Sequence, residues 1–260
     1  MKTIRSIAAA FSMYSRIPMP HFDINEKDAK NAIAFLPLVG AVIAIIMHFA
    51  IRFLKGFGIP VFVITMILAA IPIALTGGFH IDGYLDTVDA SGSYQPTEKK
   101  LEILKDPHIG AAAVISFALC LLLMMAGLGV IIDSQKAVFS MPAVFVISRG
   151  LSAITSRYMK KARPGGMLDT ETKDAGMSGL IVPAVFIVSA IVISAFDGIS
   201  YACFITASFA LFTIMYAHFV RKSFGGVTGD TAGYFVVASE VISIDAIAVL
   251  TVFMRYFGGA

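Results

Sequence analysis

The sequence predicts an all-α fold, a polytopic integral membrane helical bundle of about seven transmembrane helices plus an N-terminal interfacial helix, forming a single domain over residues 1–260. Three observations predict it. Hydrophobic residues make up 58% of the chain and charged residues only 14%, against roughly 25% charged in soluble domains. The mean hydropathy is +0.85. Apolar stretches over about 34–51, 60–76, 110–132, 137–156, 180–196, 199–219 and 233–253 approach the roughly 20 residues that cross a hydrocarbon core.

The elements follow in chain order. Thr3 to Pro18 begins beside Lys2 and Arg5 and is interrupted by Ser12, Tyr14, Ser15 and Arg16. With no small-residue cleavage site after it, this stretch reads as an amphipathic interfacial helix and not as a signal peptide. Alternating the connections puts residues 1–33, 77–109, 157–179 and 220–232 on one side, with 15 of the 20 Lys and Arg residues, and leaves four on the other with Arg149 inside a span. By the positive-inside rule the first side is cytoplasmic, which places the protein in the cell inner membrane with its active-site loops facing the cytoplasm. The same loops carry 13 of the 17 acidic residues. Chemistry is therefore expected at that surface. Cys120 and Cys203 lie in apolar runs and read as small buried hydrophobes. The net charge of +3 is too small to argue for nucleic acid, and a homo-oligomer is compatible with this composition.

The chemistry concentrates in residues 77–109, which open with Gly77-Gly78-Phe79-His80-Ile81-Asp82-Gly83-Tyr84-Leu85-Asp86-Thr87-Val88-Asp89. On a helix, Asp82, Asp86 and Asp89 stack on one face. Carboxylates packed so closely repel unless a cation joins them, and hard oxygen ligands suit Mg²⁺, which binds through a few carboxylates together with substrate phosphates. Asp82 and His80 are the candidate catalytic residues; His80 could orient a carboxylate, contact phosphate or act as a general base. Lys105, in Lys105-Asp106-Pro107-His108, could bring a cation back to the site.

A second loop, Gly225-Gly226-Val227-Thr228-Gly229-Asp230, has the glycine density that lets backbone N–H groups approach phosphate before a helix. Gly225, Gly226, Thr228, Gly229 and Asp230 are candidate phosphate-binding residues, with Asp230 also a candidate metal ligand. The Gly-Gly…Asp pattern echoes Gly77-Gly78…Asp82. The third loop adds Arg157, Lys160, Lys161 and Arg163, of which Arg157 and Arg163 are candidate phosphate ligands because their forks fit phosphate oxygens. Arg149 and Glu240 fall within spans, where a charge must pair or line a cavity; the acidic loops are the natural partners of Arg149.

Together FSMYSRIPMP (11–20), GGFHIDGYLDTVD (77–89), LEILKDPHIG (101–110), ARPGG (162–166) and GGVTGDTAG (225–233) resemble the cobalamin synthase family, the adenosylcobinamide-GDP ribazoletransferases, over nearly the whole chain. The resemblance implies an Mg²⁺-dependent membrane transferase that joins adenosylcobinamide-GDP to α-ribazole or its 5′-phosphate and releases GMP. It puts metal and phosphate work on Asp82, Asp86 and Asp89, with the Asp230 block as a second contributor. The segment 162–167 departs from the family's Arg-Pro-x-Gly-Leu-Gly form. Two alternatives are a polytopic transporter and an enzyme like the CDP-alcohol phosphotransferases. A transporter places ionisable residues near the midplane, whereas most of these lie in loops. Against the phosphotransferases, Asp82-Gly83 lacks their following Ala-Arg.

Overall fold

The computed structural model describes residues 2–163, 165, 167–172 and 178–257. The chain folds into twelve helices among these residues: α1 (Lys2–Tyr14), α2 (Glu26–Ala32), α3 (Leu36–Gly56), α4 (Val61–Thr76), α5 (Phe79–Gly92), α6 (Thr97–Ile103), α7 (Ala111–Ser134), α8 (Ser140–Tyr158), α9 (Met167–Thr172), α10 (Ser178–Ser194), α11 (Ile199–Phe224) and α12 (Gly229–Tyr256).

All seven apolar stretches fold as helices, namely α3, α4, α7, α8, α10, α11 and α12. The count of spans differs from seven. Among the described residues five helices are long and apolar enough to cross a membrane, and six if α4 and α5, bent by 93° at Gly77-Gly78, form one broken span. α4 is short at 16 residues. α8 has the length to span, but it carries Ser148, Arg149, Ser152 and Ser156, all buried. It can be polar because α3, α10 and α12 surround it and keep it from lipid. Outward-facing Ile115, Leu119 and Leu122 of α7 and Val185, Val188 and Val192 of α10 supply the apolar belt such a bundle presents to a bilayer.

Contacts fix which helix ends share a face. Lys55 in the last turn of α3 donates to the Ile132 carbonyl of α7. Arg255 of α12 and Asp133 of α7 approach to 3.7 Å. The Asp197 carboxylate accepts hydrogen bonds from the Phe139 and Ser140 N–H groups at 2.9 and 2.6 Å, capping the start of α8 from 57 residues away. These short connections gather at one end. The long loops and α1, α2, α5, α6 and α9 gather at the other.

The N-terminal helix uses its apolar face inside the protein. Ala9, Ala10 and Tyr14 pack with Ala32, Ile33, Leu36 and Ala153, and Phe11 reaches the main core. Beyond α1, the Arg16 N–H donates to the Leu75 carbonyl at 2.8 Å, and the Arg16 side chain lies over Gly77 so closely that an added Cβ would fall 2.1 Å from its Nε. A cation there complements the C-terminal end of α4. Gly77 and Gly78 both hold positive φ, +64° and +82°, the left-handed conformation that lets α4 end and α5 turn sharply away.

Candidate active site

The site is assembled where α5 crosses the start of α12. A Cβ built on Gly83 would lie 2.7 Å from the Asp230 carbonyl oxygen and 3.0 Å from its Cα, and one built on Gly233 would lie 2.9 Å from the His80 carbonyl oxygen. Two glycines therefore let the helix backbones touch. The echo noted between the two Gly-Gly…Asp segments is thus structural: each has a left-handed glycine closing a helix, Gly77 for α4 and Gly225 for α11, before a helix with an aspartate in its first turn.

The crossing brings Asp230 to the acidic face of α5. Burial, then the charges of Asp82, Asp230 and Asp89 in that order, push the Asp86 carboxyl up to about 6. All four candidate carboxylates are thus in electrostatic contact. They are not equivalent: Asp82 is exposed, Asp86 half-buried, and the Asp89 carboxylate packs on Gly110 at the start of α7. Among the described residues no three His, Cys, Asp or Glu side chains stand at coordinating distance of one point. The donor set is nonetheless of the kind a hard divalent cation takes: four carboxylates in electrostatic contact, one of them holding its proton unusually tightly, with the Arg163 charge reaching Asp230.

Beside this cluster opens a cavity of about 640 Å³, a size typical of small-molecule sites. Lys105, Lys161, Arg163, Asp169, Thr228, Gly229 and Asp230 line it, as do His80, Ser152 and Ser156. Arg163 is oriented by donating to the Leu101 carbonyl. Lys161 donates to the Ser156 and Arg157 carbonyls at the end of α8, and its burial lowers its pKa. Thr228 and Thr231 cap α12 reciprocally at 3.1 and 2.8 Å, and Val227 pairs with the segment 160–162 through bonds of 2.8 and 3.0 Å. These contacts hold the polar wall rigid.

His80 is buried, and its Nδ1 has no partner among the described residues. Burial first and Arg149 second keep the imidazole neutral, well below its usual pKa. It lines the large cavity and also a small one of about 40 Å³ that Arg149 and Glu240 share. Arg149 bonds Glu240 at 2.5 Å, and Ser148 bonds the same carboxylate at 2.7 Å. The partner of Arg149 is therefore a residue in another span, and the acidic loops are occupied elsewhere.

Several expected residues stand apart from the cavity. Gly225 closes α11, and Gly226 packs its Cα on the Lys160 carbonyl; both shape the loop without lining the cavity. Arg157 turns away, its guanidinium stacked over Tyr158 at 5.4 Å and packed on Gly179. The Asp106 carboxylate engages His108 Nδ1 at 2.7 Å and its N–H at 3.0 Å, which hold its pKa down, so only Lys105 of that segment reaches the cavity. Pro164 and Gly166 of the 162–166 block lie outside the described residues. Lys161, Asp169, Ser152 and Ser156 were missed as site residues. The i, i+4 spacing of Ser148, Ser152 and Ser156 on an apolar helix was a signal for the serines; Asp169 offered none.

The family model described as cobalamin-5-phosphate synthase matches residues 6–248. The chain is 35% identical over 94% of its length to an adenosylcobinamide-GDP ribazoletransferase of Lachnoclostridium phytofermentans, 93% of which is covered. It is 28% identical to proteins of that name from Clostridium perfringens and Fusobacterium nucleatum, covering 92% and 93% of this chain and 96% of each relative. No solved structure matches. On the family match and the coverage of its relatives, this chain belongs to the cobalamin-5-phosphate synthase family.

Proposed function

We propose that this protein is a membrane transferase that joins adenosylcobinamide-GDP to α-ribazole, or its 5′-phosphate, and releases GMP. The observation that carries the reading is the α5–α12 crossing, which sets Asp230 both in the carboxylate cluster and in the wall of a cavity bearing Lys105, Lys161 and Arg163. That pairing of clustered carboxylates with cations is what transfer between polyphosphate groups needs, since such catalysis is mostly positioning and charge stabilisation. The names of the relatives supply the substrates.

Lys105 and Arg163 hold the pyrophosphate, and Thr228, Gly229 and Asp230 place it at the start of α12, where backbone N–H groups favour anions. A ribose hydroxyl of α-ribazole attacks the phosphorus that carries cobinamide; the bond from that phosphorus to the bridging oxygen breaks, and GMP leaves. The hydroxyl proton passes to a carboxylate of the cluster that is not on the metal. His80, neutral in its buried seat, hydrogen-bonds the reacting groups without charging. Mg²⁺ held by Asp82, Asp86 and Asp230 would offset charge on the pyrophosphate. The excess of Lys and Arg in these loops supports a cytoplasmic orientation for this face.

The test is GMP release by the protein in lipid from adenosylcobinamide-GDP plus α-ribazole, with and without Mg²⁺. Release that needs both substrates and metal, and that drops on the order of a hundredfold or more in Asp82→Asn, is expected. Folded protein releasing no GMP under any divalent ion would refute the reading.

A further inference from the structure

The cavity has two chemically different walls. Besides the cations, Met13, Tyr14, Ile33, Leu36 and Leu168 line it, and these five belong to one hydrophobic cluster contributed by α1, the turn before α3, α3 itself and α9. Phe79 extends this wall: its ring meets Tyr14 edge-on with centroids 5.6 Å apart, yet it remains 51% exposed. A cavity-lining aromatic side chain left half open, with buried Tyr14 and His80 meeting it edge-on, offers ring surface for a flat ring.

We infer that this apolar wall is the seat of the aromatic base of α-ribazole. The inference rests on the transferase reading and assigns one of its two substrates to named residues. The choice between bases follows from their edges. Guanine carries donors and acceptors around its rim, and burying them against methionine, isoleucine, leucine and phenylalanine leaves them unpaired. The benzimidazole of α-ribazole presents only ring C–H and two methyl groups on its carbocyclic side, which this wall can cover without loss. The corrin ring is too large for the cavity and stays outside, toward exposed Asp82, with only the pyrophosphate reaching the cations inside. With the base against Phe79 and Met13, the ribose points across the cavity to Thr228 and Asp230, where the phosphate chemistry takes place.

The test is equilibrium binding of α-ribazole alone, and of GMP alone, to the full chain in lipid nanodiscs for wild type, Met13→Asn and Phe79→Ala. Each variant is expected to weaken α-ribazole about tenfold while GMP binding changes less than about twofold. Unchanged GMP binding in the same preparation certifies the fold. Wild type should also bind the nucleoside lacking the two ring methyls several-fold more weakly, and Met13→Asn should shrink that preference. Loss of GMP affinity in place of α-ribazole affinity, or α-ribazole binding untouched by both variants, overturns the assignment. The GMP-release assay separates the two readings. Wild type that shows this binding pattern but never releases GMP removes the transferase and keeps the base site, whereas turnover with unaffected α-ribazole binding does the reverse.

Discussion

At the residue scale, the Asp86 carboxyl at about 6 has consequences whose sign can be worked out. Its folded pKa lies above the ordinary aspartate value of 3.8, so between these limits the folded protein holds more protons than the unfolded chain. Stability contributed by this group is therefore highest below the lower limit and falls as pH rises through about 6. A divalent cation competes with that proton for the carboxylate. Mg²⁺ should thus raise the unfolding temperature more at pH 7.5 than at pH 5, and Asp86→Asn should flatten that difference; thermal melts across pH with and without the ion check it, and equal Mg²⁺ effects at both pH values would count against a metal on Asp86. The neutral state of His80 yields a second expectation. A buried group that only donates or accepts a hydrogen bond tolerates an amide, so His80→Gln should keep GMP release within about tenfold of wild type while His80→Ala loses on the order of a hundredfold. Equal losses would make His80 the proton acceptor instead.

At the element scale, the crossing of α5 and α12 holds the site together. The atoms that meet a Cβ on Gly83 are backbone atoms of Asp230, which cannot rotate aside. Gly83→Ala should push the helices apart, cost about 1–3 kcal/mol by overpacking, and reduce activity more than stability by moving Asp230 from Asp82 and Asp86. Melting temperature and GMP release measured on one preparation distinguish this from simple unfolding. Both helix starts could be read in the sequence from their glycines and aspartates, and the acidic face of α5 followed from spacing alone. That α5 turns by 93° after α4 could not, because the bend depends on Arg16, some 60 positions away, lying over Gly77.

At the scale of the whole molecule, α8 is polar because it is central. Arg149 and Glu240 are each all but fully buried and bonded to each other, and Ser148 donates to the same Glu240 carboxylate. Arg149→Met leaves a carboxylate buried alone and should cost about 3–5 kcal/mol, whereas removing both charges in Arg149→Met/Glu240→Gln should recover much of the loss. Unfolding in detergent measures both; a double variant as unstable as the single one would show that the pair itself is not what α8 depends on.

The sequence by itself determined the membrane class, the sites of seven apolar helices, the gathering of charge at one end and the aspartate face of α5, because hydropathy and helical spacing are local properties, and its motifs carried the resemblance to the family. Only the tertiary structure decided that α8 is an internal helix, that Arg149 belongs to Glu240, that Lys161 and Asp169 line the cavity from which Arg157 and Gly226 stand apart, and that α1 contributes to its apolar lining. Each of those depends on which surfaces of distant helices fit together, and packing of that kind is set by shape across the bundle and leaves no periodic trace along the chain.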